Sequence, residues 1–414
     1  MLKIMISNFN LDHFISTFVT KRHKSLLAND FMKYNTELNN RINHKSVLVI
    51  GGAGTIGSNY IKAILKFSIS KLVVVDINEN GLTELVRDLR SSVDYNIPDD
   101  FITYPINFAD RVFEKIFHQH GPFEIVANFA AHKHVRSEKD IFSIEAMIEN
   151  NVLRARHLFN FLLEFPPEHF FCVSTDKAAN PVNIMGASKK LMEELIMAYS
   201  DRLPIKTARF ANVAFSNGSL LSGFLERLNK NQPWSCPIGI RRYFVSPQES
   251  GELCLMASIM GESGDIIYPK LDENRDLIPF DQIAIDLLKI FGLKPDISQS
   301  EEEAKRKALL LNNPGSVPTE GYPIYFFDSD TSGEKSIEEF FTEKEELDNR
   351  SFINLGVIKK SKKRSIQEIN TIFDELHTLF ESKNVTKASI VNILKAYLPN
   401  FEHIETGKGL DSKM

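Results

Sequence analysis

The sequence predicts a doubly wound α/β fold, in which helices cover both faces of a parallel sheet. Three observations support this prediction. Short apolar runs alternate with amphipathic stretches from residue 46 onward, which is typical of repeated strand–helix–strand units. A glycine-rich turn directly follows the first apolar run, and an acidic residue ends the second. A smaller lobe interleaved with the later strands, and helical extensions at both termini, complete the predicted architecture.

The predicted elements alternate in a regular order. Apolar runs of strand length, rich in β-branched and aromatic residues, predict buried strands at Val47–Ile50, Leu72–Val75, Ile125–Phe129, His169–Ser174 and Ile205–Phe210. Between them, runs with a helical period predict helices at Ile56–Lys66, Gly81–Arg90, Ser143–Glu164 and Ala187–Tyr199. Beyond residue 210 the pattern loosens, and the hydrophilic stretch Pro295–Lys307 is interpreted as a surface insertion.

Composition and charge exclude several classes of protein. The 414 residues are 43% hydrophobic and 25% charged, and the net charge of −5 argues against a general nucleic-acid binder. No apolar run reaches the roughly 20 residues that cross a bilayer. Three scattered cysteines indicate neither a disulfide framework nor a metal site. We therefore expect a cytoplasmic protein with no nucleic-acid partner, no integral membrane segment and no metal.

The glycine-rich turn is typical of a dinucleotide-binding site. Residues 51–57 read GGAGTIG, and the Gly-x-Gly-x-x-Gly positions are Gly52, Gly54 and Gly57. The first glycine allows a tight turn, the second a close approach of the pyrophosphate, and the third close helix–strand packing. Thr55 and Ile56 open the helix, whose N-terminus attracts phosphate charge.

Asp76 indicates which dinucleotide binds. It ends the second predicted strand about 20 residues beyond the motif, where a carboxylate accepts hydrogen bonds from the ribose of NAD and repels the extra phosphate of NADP. No Arg or Lys follows among residues 77–80, which include Asn78. The sequence therefore predicts NAD and a Rossmann-type domain; the alternative is a glycine turn that binds no nucleotide. Further cofactor contacts are expected from Asn107, Phe108, Ala130, Ala131, Lys133, Asn151 and Val173.

Four segments follow from these motifs. We predict an N-terminal arm over 1–45 and an NAD-binding Rossmann domain over 46–210. The later Rossmann strands and a substrate-binding lobe are predicted to share 211–340. A charged helical extension is predicted over 341–414.

An acid and two lysines follow the fourth predicted strand and open the next helix. Thr175, Asp176 and Lys177 lie just beyond the carboxyl end of that strand, where open α/β sheets bind ligands. Met185 and Lys189 are four residues apart and share one face of a helix. A tyrosine in place of Met185 would complete the Tyr-x-x-x-Lys pair of short-chain dehydrogenases. For Asp176 and Lys177 alone, a structural ion pair is the competing interpretation.

Taken in order, these motifs resemble those of one superfamily. The glycine turn is followed by AAHKH (130–134), STDKAANP (174–181), MGASK (185–189) and RFANV (209–213). Together they resemble the extended short-chain dehydrogenase/reductases and, among them, the CapD-like bacterial UDP-N-acetylglucosamine 4,6-dehydratases of polysaccharide biosynthesis. The resemblance covers roughly residues 45–340. Asn107 departs from the usual aspartate, and Ala211 from the usual glycine.

The resemblance implies an NAD-dependent lyase that makes UDP-4-keto-6-deoxy-GlcNAc for surface glycans such as capsule or lipopolysaccharide. Transfer of hydride from C4 to NAD creates a ketone, which acidifies the proton on C5. By resemblance, Lys177 is the C5 base, Asp176 the acid at the C6 oxygen, and Thr175 a hydrogen-bonding partner of the C4 oxygen. Lys189 holds the nicotinamide ribose. Lys177 must be neutral to act, so its pKa is expected to be lowered by the nicotinamide charge and Lys189.

Several alternatives stay open at the level of sequence. Family members with methionine at the position of Met185 generally resemble the dehydratases that retain the C5 configuration, whereas tyrosine members include inverting enzymes, so the resemblance predicts retention at C5. The C4 hydroxyl proton goes either to Asp176 or to a water. A UDP-hexose 4-epimerase, a C5-inverting dehydratase and a non-catalytic NAD-binding regulator are the competing functions.

The substrate end of the site is assigned by the same resemblance. UDP-N-acetylglucosamine, or a related UDP-sugar, is expected to contact Lys133, Thr175, Asn212, Arg242 and Glu334. For Lys133, contact with the cofactor is equally open, and for Arg241 surface solvation competes with ligand binding. A homo-oligomer is expected, with the terminal segments as candidates for its interface.

Overall fold

The computed structural model describes residues 9–311, 321–328, 333, 335, 337–359 and 363–405. Its strands are β1 (Ser46–Ile50), β2 (Lys71–Asp76), β3 (Asp100–Pro105), β4 (Ile125–Asn128), β5 (His169–Cys172), β6 (Ile205–Ala208), β7 (Asn212–Val213), β8 (Trp234–Ile238), β9 (Arg241–Val245), β10 (Ile266–Pro269), β11 (Leu277–Pro279), β12 (Pro295–Ser298), β13 (Tyr322–Asp328), β14 (Glu346–Asp348) and β15 (Leu355–Lys359).

The helices alternate with these strands. They are α1 (Leu11–Phe14), α2 (Ala28–Lys33), α3 (Asn35–Ile42), α4 (Thr55–Ile64), α5 (Glu79–Arg90), α6 (Arg111–His120), α7 (Ile141–Ile148), α8 (Arg154–Glu164), α9 (Ile184–Tyr199), α10 (Leu220–Asn229), α11 (Pro247–Met260), α12 (Glu273–Asp276), α13 (Phe280–Ile290), α14 (Glu301–Leu311), α15 (Ile366–Glu381) and α16 (Lys387–Tyr397). Within the described ranges, no helix is long and apolar enough to cross a membrane.

A nine-stranded sheet forms the centre of the molecule and confirms the predicted fold class. Its strand order is β14-β15-β10-β6-β5-β4-β1-β2-β3. The seven strands from β10 to β3 are parallel, and β14 and β15 add an antiparallel edge. Strands β1 and β2 are almost fully buried because helices cover both faces of the sheet. The five predicted strands are all present.

A second hydrophobic core lies beside the sheet. It is built from residues between 214 and 324, and Phe14, Ile15 and Val19 of the N-terminal segment pack into it. Trp234 and Phe224 stack at its centre with ring centroids 4.6 Å apart. Two small sheets, β11-β9-β7 and β12-β13-β8, support this lobe. The predicted boundaries between segments stay predictions.

The prediction of a helical extension over 341–414 is wrong for the first part of this segment. β15 pairs antiparallel with β10, and β14 pairs with β15, so residues 346–359 extend the main sheet. Helices begin only at Ile366. The strand was missed because the short run Leu355–Lys359 lies among charged residues, and its partner lies about 90 residues earlier in the chain.

The stretch Pro295–Lys307, predicted as a surface insertion, lies mostly at the surface but forms regular elements of the second lobe. β12 pairs in parallel with β13, and α14 follows it. Only Ser298 in the strand and Ala304 and Ala308 in the helix are buried. Small and polar buried residues give almost no hydropathy signal, so the sequence pattern did not indicate the strand and the helix in this stretch.

The terminal segments pack on the chain's own core. In the N-terminal segment, Arg22 bonds the buried carboxylates of Glu249 at 2.8 Å and Asp276 at 3.2 Å. At the other end, Arg364 bonds Glu194 of α9 at 2.6 Å. These contacts are intramolecular, and the expected homo-oligomer stays a prediction.

Candidate active site

The glycine turn between β1 and α4 leaves backbone groups open to a ligand. The N-cap of α4 is Gly54, which has no side chain that could cap the helix. A methyl group added at Gly54 would meet only the Gly51 carbonyl oxygen, at 3.6 Å. At Gly57 it would lie 2.2 Å from that same oxygen. The uncapped N–H groups and the open space at Gly54 fit a phosphate group.

The tight turn itself corrects one detail of the motif. The positive φ, +77°, is at Gly51, not at Gly52. A Cβ at Gly51 would lie 2.6 Å from the Ala130 backbone nitrogen, so this glycine lets the turn pass the end of β4. Gly52 packs instead against the side chains of Val74 and Ile61. The sequence motif predicted the tight turn in this segment but assigned it to Gly52 instead of the neighbouring Gly51.

Asp76 lies at the carboxyl end of β2, against the glycine turn. Its Oδ2 accepts the Ala53 N–H at 2.9 Å, and its Oδ1 accepts the Asn78 N–H at 2.9 Å. Asn78 caps α5 by accepting the Gly81 N–H at 3.0 Å. The carboxylate is therefore held at the place that the ribose of a dinucleotide occupies in this fold.

The other predicted cofactor residues lie around the same sheet edge. Asn107 accepts the Ala109 N–H at 3.0 Å. The Phe108 side chain is buried in the main core, which leaves only its backbone for a ligand. Asn151 lies in a π-helical turn, Glu149–Leu153, and bonds both backbone groups of His132 at 2.8 and 3.0 Å. This turn interrupts the single helix predicted for Ser143–Glu164.

A loop from the second lobe reaches the cofactor side of the site. The Asn217 N–H donates to Thr55 Oγ1 at 3.0 Å, and the Asn217 carbonyl accepts from Lys133 Nζ at 3.0 Å. No ligand role was predicted for Asn217. In the structure, it connects two residues predicted to bind the cofactor.

A cavity of about 1020 Å³ lies between the sheet edge and the second lobe. This volume lies at the upper end of the range for small-molecule and cofactor sites, which is about 300–1,000 Å³. The predicted site residues in its wall are Ile56, Ala131, Lys133, Val173, Thr175, Asp176, Lys177, Met185, Lys189, Asn212 and Arg242. Residues at the end of β5, the helix residues Met185 and Lys189, and residues of the second lobe therefore line the same cavity.

Asp176 and Lys177 form a buried ion pair in the cavity wall. Lys177 Nζ lies 3.1 Å from Asp176 Oδ1, and the two side chains are 19% and 4% exposed. The same oxygen accepts the Thr175 hydroxyl at 2.8 Å and the Lys177 backbone N–H at 2.9 Å. Glu338 Oε1 approaches Lys177 Nζ from the other side, at 3.6 Å.

The charges of the chain itself raise the pKa of Lys177 instead of lowering it, and the expected effect of the nicotinamide charge stays a prediction. Burial lowers this pKa, but the carboxylates of Asp176 and Glu338 outweigh burial and raise it above the usual lysine value. Burial lowers the pKa of two other lysines in the cavity wall, that of Lys189 to about 8 and that of Lys133 in the same direction. Sequence analysis missed Glu338 because its contact with Lys177 joins positions 161 residues apart.

Met185 and Lys189 share one face of α9, as predicted, and both line the cavity. Asn183 caps this helix by accepting the Gly186 N–H at 2.7 Å. Glu138 Oε1 accepts the Met185 N–H at 2.9 Å and so fixes the first turn. Lys189 Nζ donates to the Val173 carbonyl at 3.1 Å.

Asn212 and Arg242 bring the second lobe to the cavity. The Asn212 Nδ2 atom is buried and makes no hydrogen bond within the described part of the chain. A buried donor without a partner is costly, so a ligand acceptor in the cavity would stabilise it. Arg242 is buried in the cavity wall, whereas Arg241 is exposed. Glu334 lies outside the described residues.

With this geometry, the chain can be compared with known proteins. A family model described as polysaccharide biosynthesis protein matches residues 47–310. The chain belongs to this family. The match covers the glycine turn, the ion pair and the helix pair, and it confirms the resemblance inferred from the motifs.

Three curated relatives show the range of the family. An uncharacterized membrane protein, MJ1061, of Methanocaldococcus jannaschii is 30% identical over 63% of this chain and 77% of its own. The capsular polysaccharide biosynthesis protein CapD of Staphylococcus aureus is 26% identical over 66% of this chain, but the match spans only 45% of CapD. A UDP-glucose 4-epimerase of Rickettsia bellii is 27% identical over 71% of this chain and 88% of its own.

Solved structures support the fold. Pen from Bacillus thuringiensis aligns with a TM-score of 0.61 at 19% identity, over 81% of this chain and 99% of that chain. DesIV, a dTDP-glucose 4,6-dehydratase from Streptomyces venezuelae solved with NAD and TYD bound, aligns with a TM-score of 0.52 at 16% identity, over 86% of this chain and 97% of that chain.

Proposed function

We propose that this protein is an NAD-dependent UDP-N-acetylglucosamine 4,6-dehydratase that retains the configuration at C5. The observation that carries the proposal is the Asp176–Lys177 pair in the wall of a large cavity. An elimination needs an acid and a base beside one sugar, and these two groups follow each other at the end of β5. Membership in the polysaccharide biosynthesis family fits a nucleotide-sugar substrate.

NAD is proposed to bind at the carboxyl ends of β1 and β2. The uncapped N-terminus of α4 suits the pyrophosphate, and the carboxylate of Asp76 suits a ribose. When bound, NAD would take a hydride from C4 of the sugar and supply it to C6 within one turnover. Lys189, held by the Val173 carbonyl at 3.1 Å, is the residue proposed to bind the nicotinamide ribose.

The chain supplies a path for the C4 hydroxyl proton without a tyrosine. Thr175 donates its hydroxyl hydrogen to Asp176, so its oxygen can accept the C4 hydroxyl. In this scheme the C4 proton passes through Thr175 to Asp176, which delivers it to the departing C6 hydroxyl. Lys177 removes the C5 proton and returns it to the same face. The net change is the loss of one water.

Met185 supports elimination over simple dehydrogenation. It is buried, lines the cavity and has no proton to exchange. Asp176 and Lys177 are therefore the residues proposed to act as acid and base in this part of the cavity wall. The buried Asn212 amide and Arg242 are proposed to bind the UDP-sugar, because an amide donor and a guanidinium suit phosphate and carbonyl acceptors.

The test is incubation of the purified protein with UDP-N-acetylglucosamine and NAD. A product lighter by one water in the mass spectrum is expected, and proton NMR in heavy water should show a C6 methyl group with the original C5 configuration. An unchanged substrate mass together with an unchanged C4 configuration would leave a non-catalytic NAD-binding protein as the better proposal.

A UDP-hexose 4-epimerase is the second candidate, since the Rickettsia bellii relative carries that name and is matched over 88% of its length. An epimerase conserves mass and inverts C4, so the same experiment separates the two candidates. A C6 methyl group with inverted C5 would instead identify an inverting dehydratase.

A further inference from the structure

Glu338 reaches the amine of Lys177 from behind the cavity wall. Its Oε1 lies 3.6 Å from Lys177 Nζ, and its side chain is only 4% exposed. Asp176 and Lys177 are part of the cavity wall, but Glu338 is not. Glu338 is therefore within ion-pair distance of the proposed base without facing the ligand.

The two carboxylates beside Lys177 differ in their surroundings. Asp176 Oδ1 accepts hydrogen bonds from the Thr175 hydroxyl, the Lys177 N–H and Lys177 Nζ. Burial raises the pKa of Glu338, and the Asp176 carboxylate adds to this. The positive charges of Lys177, Arg242 and Lys335 only partly oppose the rise.

We infer that Glu338 is a positioning residue that accepts the proton that Lys177 must release before it can act as the base. In this step, one N–H bond of the Lys177 ammonium breaks and one O–H bond forms on Glu338. Ammonium and carboxylate become amine and carboxylic acid, so the pair stays neutral and no proton leaves for solvent. The inference rests on the proposed dehydratase function.

This role predicts a distinctive pH dependence. The Lys177–Glu338 pair keeps one proton across neutral pH, so the share of neutral Lys177 in the wild type does not change with pH there. In Glu338→Gln the amide cannot accept the proton, and Lys177 must exchange it with solvent. The kcat of this variant should rise about tenfold per pH unit below the pKa of Lys177.

The experiment uses the full chain and two independent measurements. NMR of selectively ¹³C-labelled lysines, with Lys177→Met to assign the signal, gives the pKa of Lys177 without turnover. The second measurement is kcat against pH with UDP-N-acetylglucosamine. Glu339→Gln is the matched control, because Glu339 is 54% exposed and pairs with Lys335 at 3.5 Å. Thermal melting verifies that each variant is folded.

We expect a lower Lys177 pKa in Glu338→Gln than in the wild type, and a kcat that rises with pH along this titration. In the wild type and in Glu339→Gln, kcat should not change with pH across neutral pH. An unchanged Lys177 pKa, or a flat profile in Glu338→Gln, would overturn the inference. If Glu338→Gln does not fold, Glu338→Asp is the deciding variant. Its kcat should be lower than in the wild type but still independent of pH across neutral pH. A kcat equal to that of the wild type would refute the role of Glu338. If the wild type does not dehydrate the substrate, the dehydratase proposal fails, and the NMR titration alone still decides whether Glu338 controls Lys177.

Discussion

Replacing Glu193 with alanine is expected to destabilise the protein by about 3–5 kcal/mol, because it leaves a buried arginine short of a counter-charge. The Arg209 side chain is 0% exposed. It donates to Glu193 from Nε and Nη2 at 2.8 and 2.7 Å, and to Glu345 from Nη1 and Nη2 at 2.9 and 2.8 Å. Glu193 also accepts the Ser174 hydroxyl at 2.7 Å, next to the proposed catalytic pair.

The pKa of Glu193 gives a second, independent value for its contribution to the free energy of unfolding. Burial would raise this pKa, but the charge and hydrogen bonds of Arg209 lower it from 4.5 to about 2. At about 1.4 kcal/mol per pKa unit, the difference corresponds to roughly 3 kcal/mol. Because the folded-state pKa is depressed, this contribution is present above pH 4.5 and is lost as the pH falls toward 2.

Urea unfolding at pH 7 measures the loss, with Glu84→Ala as the matched control. Glu84 also pairs with an arginine, Arg87, but the two side chains are 70% and 69% exposed. Its loss should change the free energy of unfolding by no more than about 0.5 kcal/mol. If Glu193→Ala were as stable as this control, the buried pair would not have the role given to it.

Four further variants test the cofactor site, the glycine turn and the base. Lys177→Met should lower kcat at least about 100-fold while NAD still binds; turnover near the wild-type rate would remove Lys177 as the base. Asp76→Ala should weaken NAD binding about 10- to 100-fold in calorimetry, because hydrogen bonds to a charged group are lost, and an unchanged Kd would refute its contact with the ribose. Gly54→Ala should melt near the wild-type temperature but bind NAD poorly, since the added methyl meets only an oxygen at 3.6 Å and fills the space for the pyrophosphate. Gly51→Ala should lower the melting temperature itself, because its φ is +77° and the new Cβ would lie 2.6 Å from the Ala130 nitrogen; the reverse order of the two melting temperatures would contradict this account.

Local patterns were sufficient for the first half of the fold. Buried parallel strands appear in sequence as short apolar runs, and a glycine turn followed by an acid-terminated strand requires no long-range knowledge. The helix face shared by Met185 and Lys189 follows from a spacing of four residues. The same reasoning failed at β12 and β15, where charged neighbours and small buried residues conceal the strands.

The sequence by itself determined the parallel sheet, the dinucleotide turn and the order of acid, lysine and methionine at the end of β5, because each depends on residues close together in the chain. Only the tertiary structure decided the environment of Lys177. Glu338 comes from 161 positions later and lies 3.6 Å from the amine. Together with Asp176, it raises a pKa that the sequence led us to expect lowered. The protonation of a buried group depends on every charge that the fold brings near it, and those charges come from distant parts of the chain.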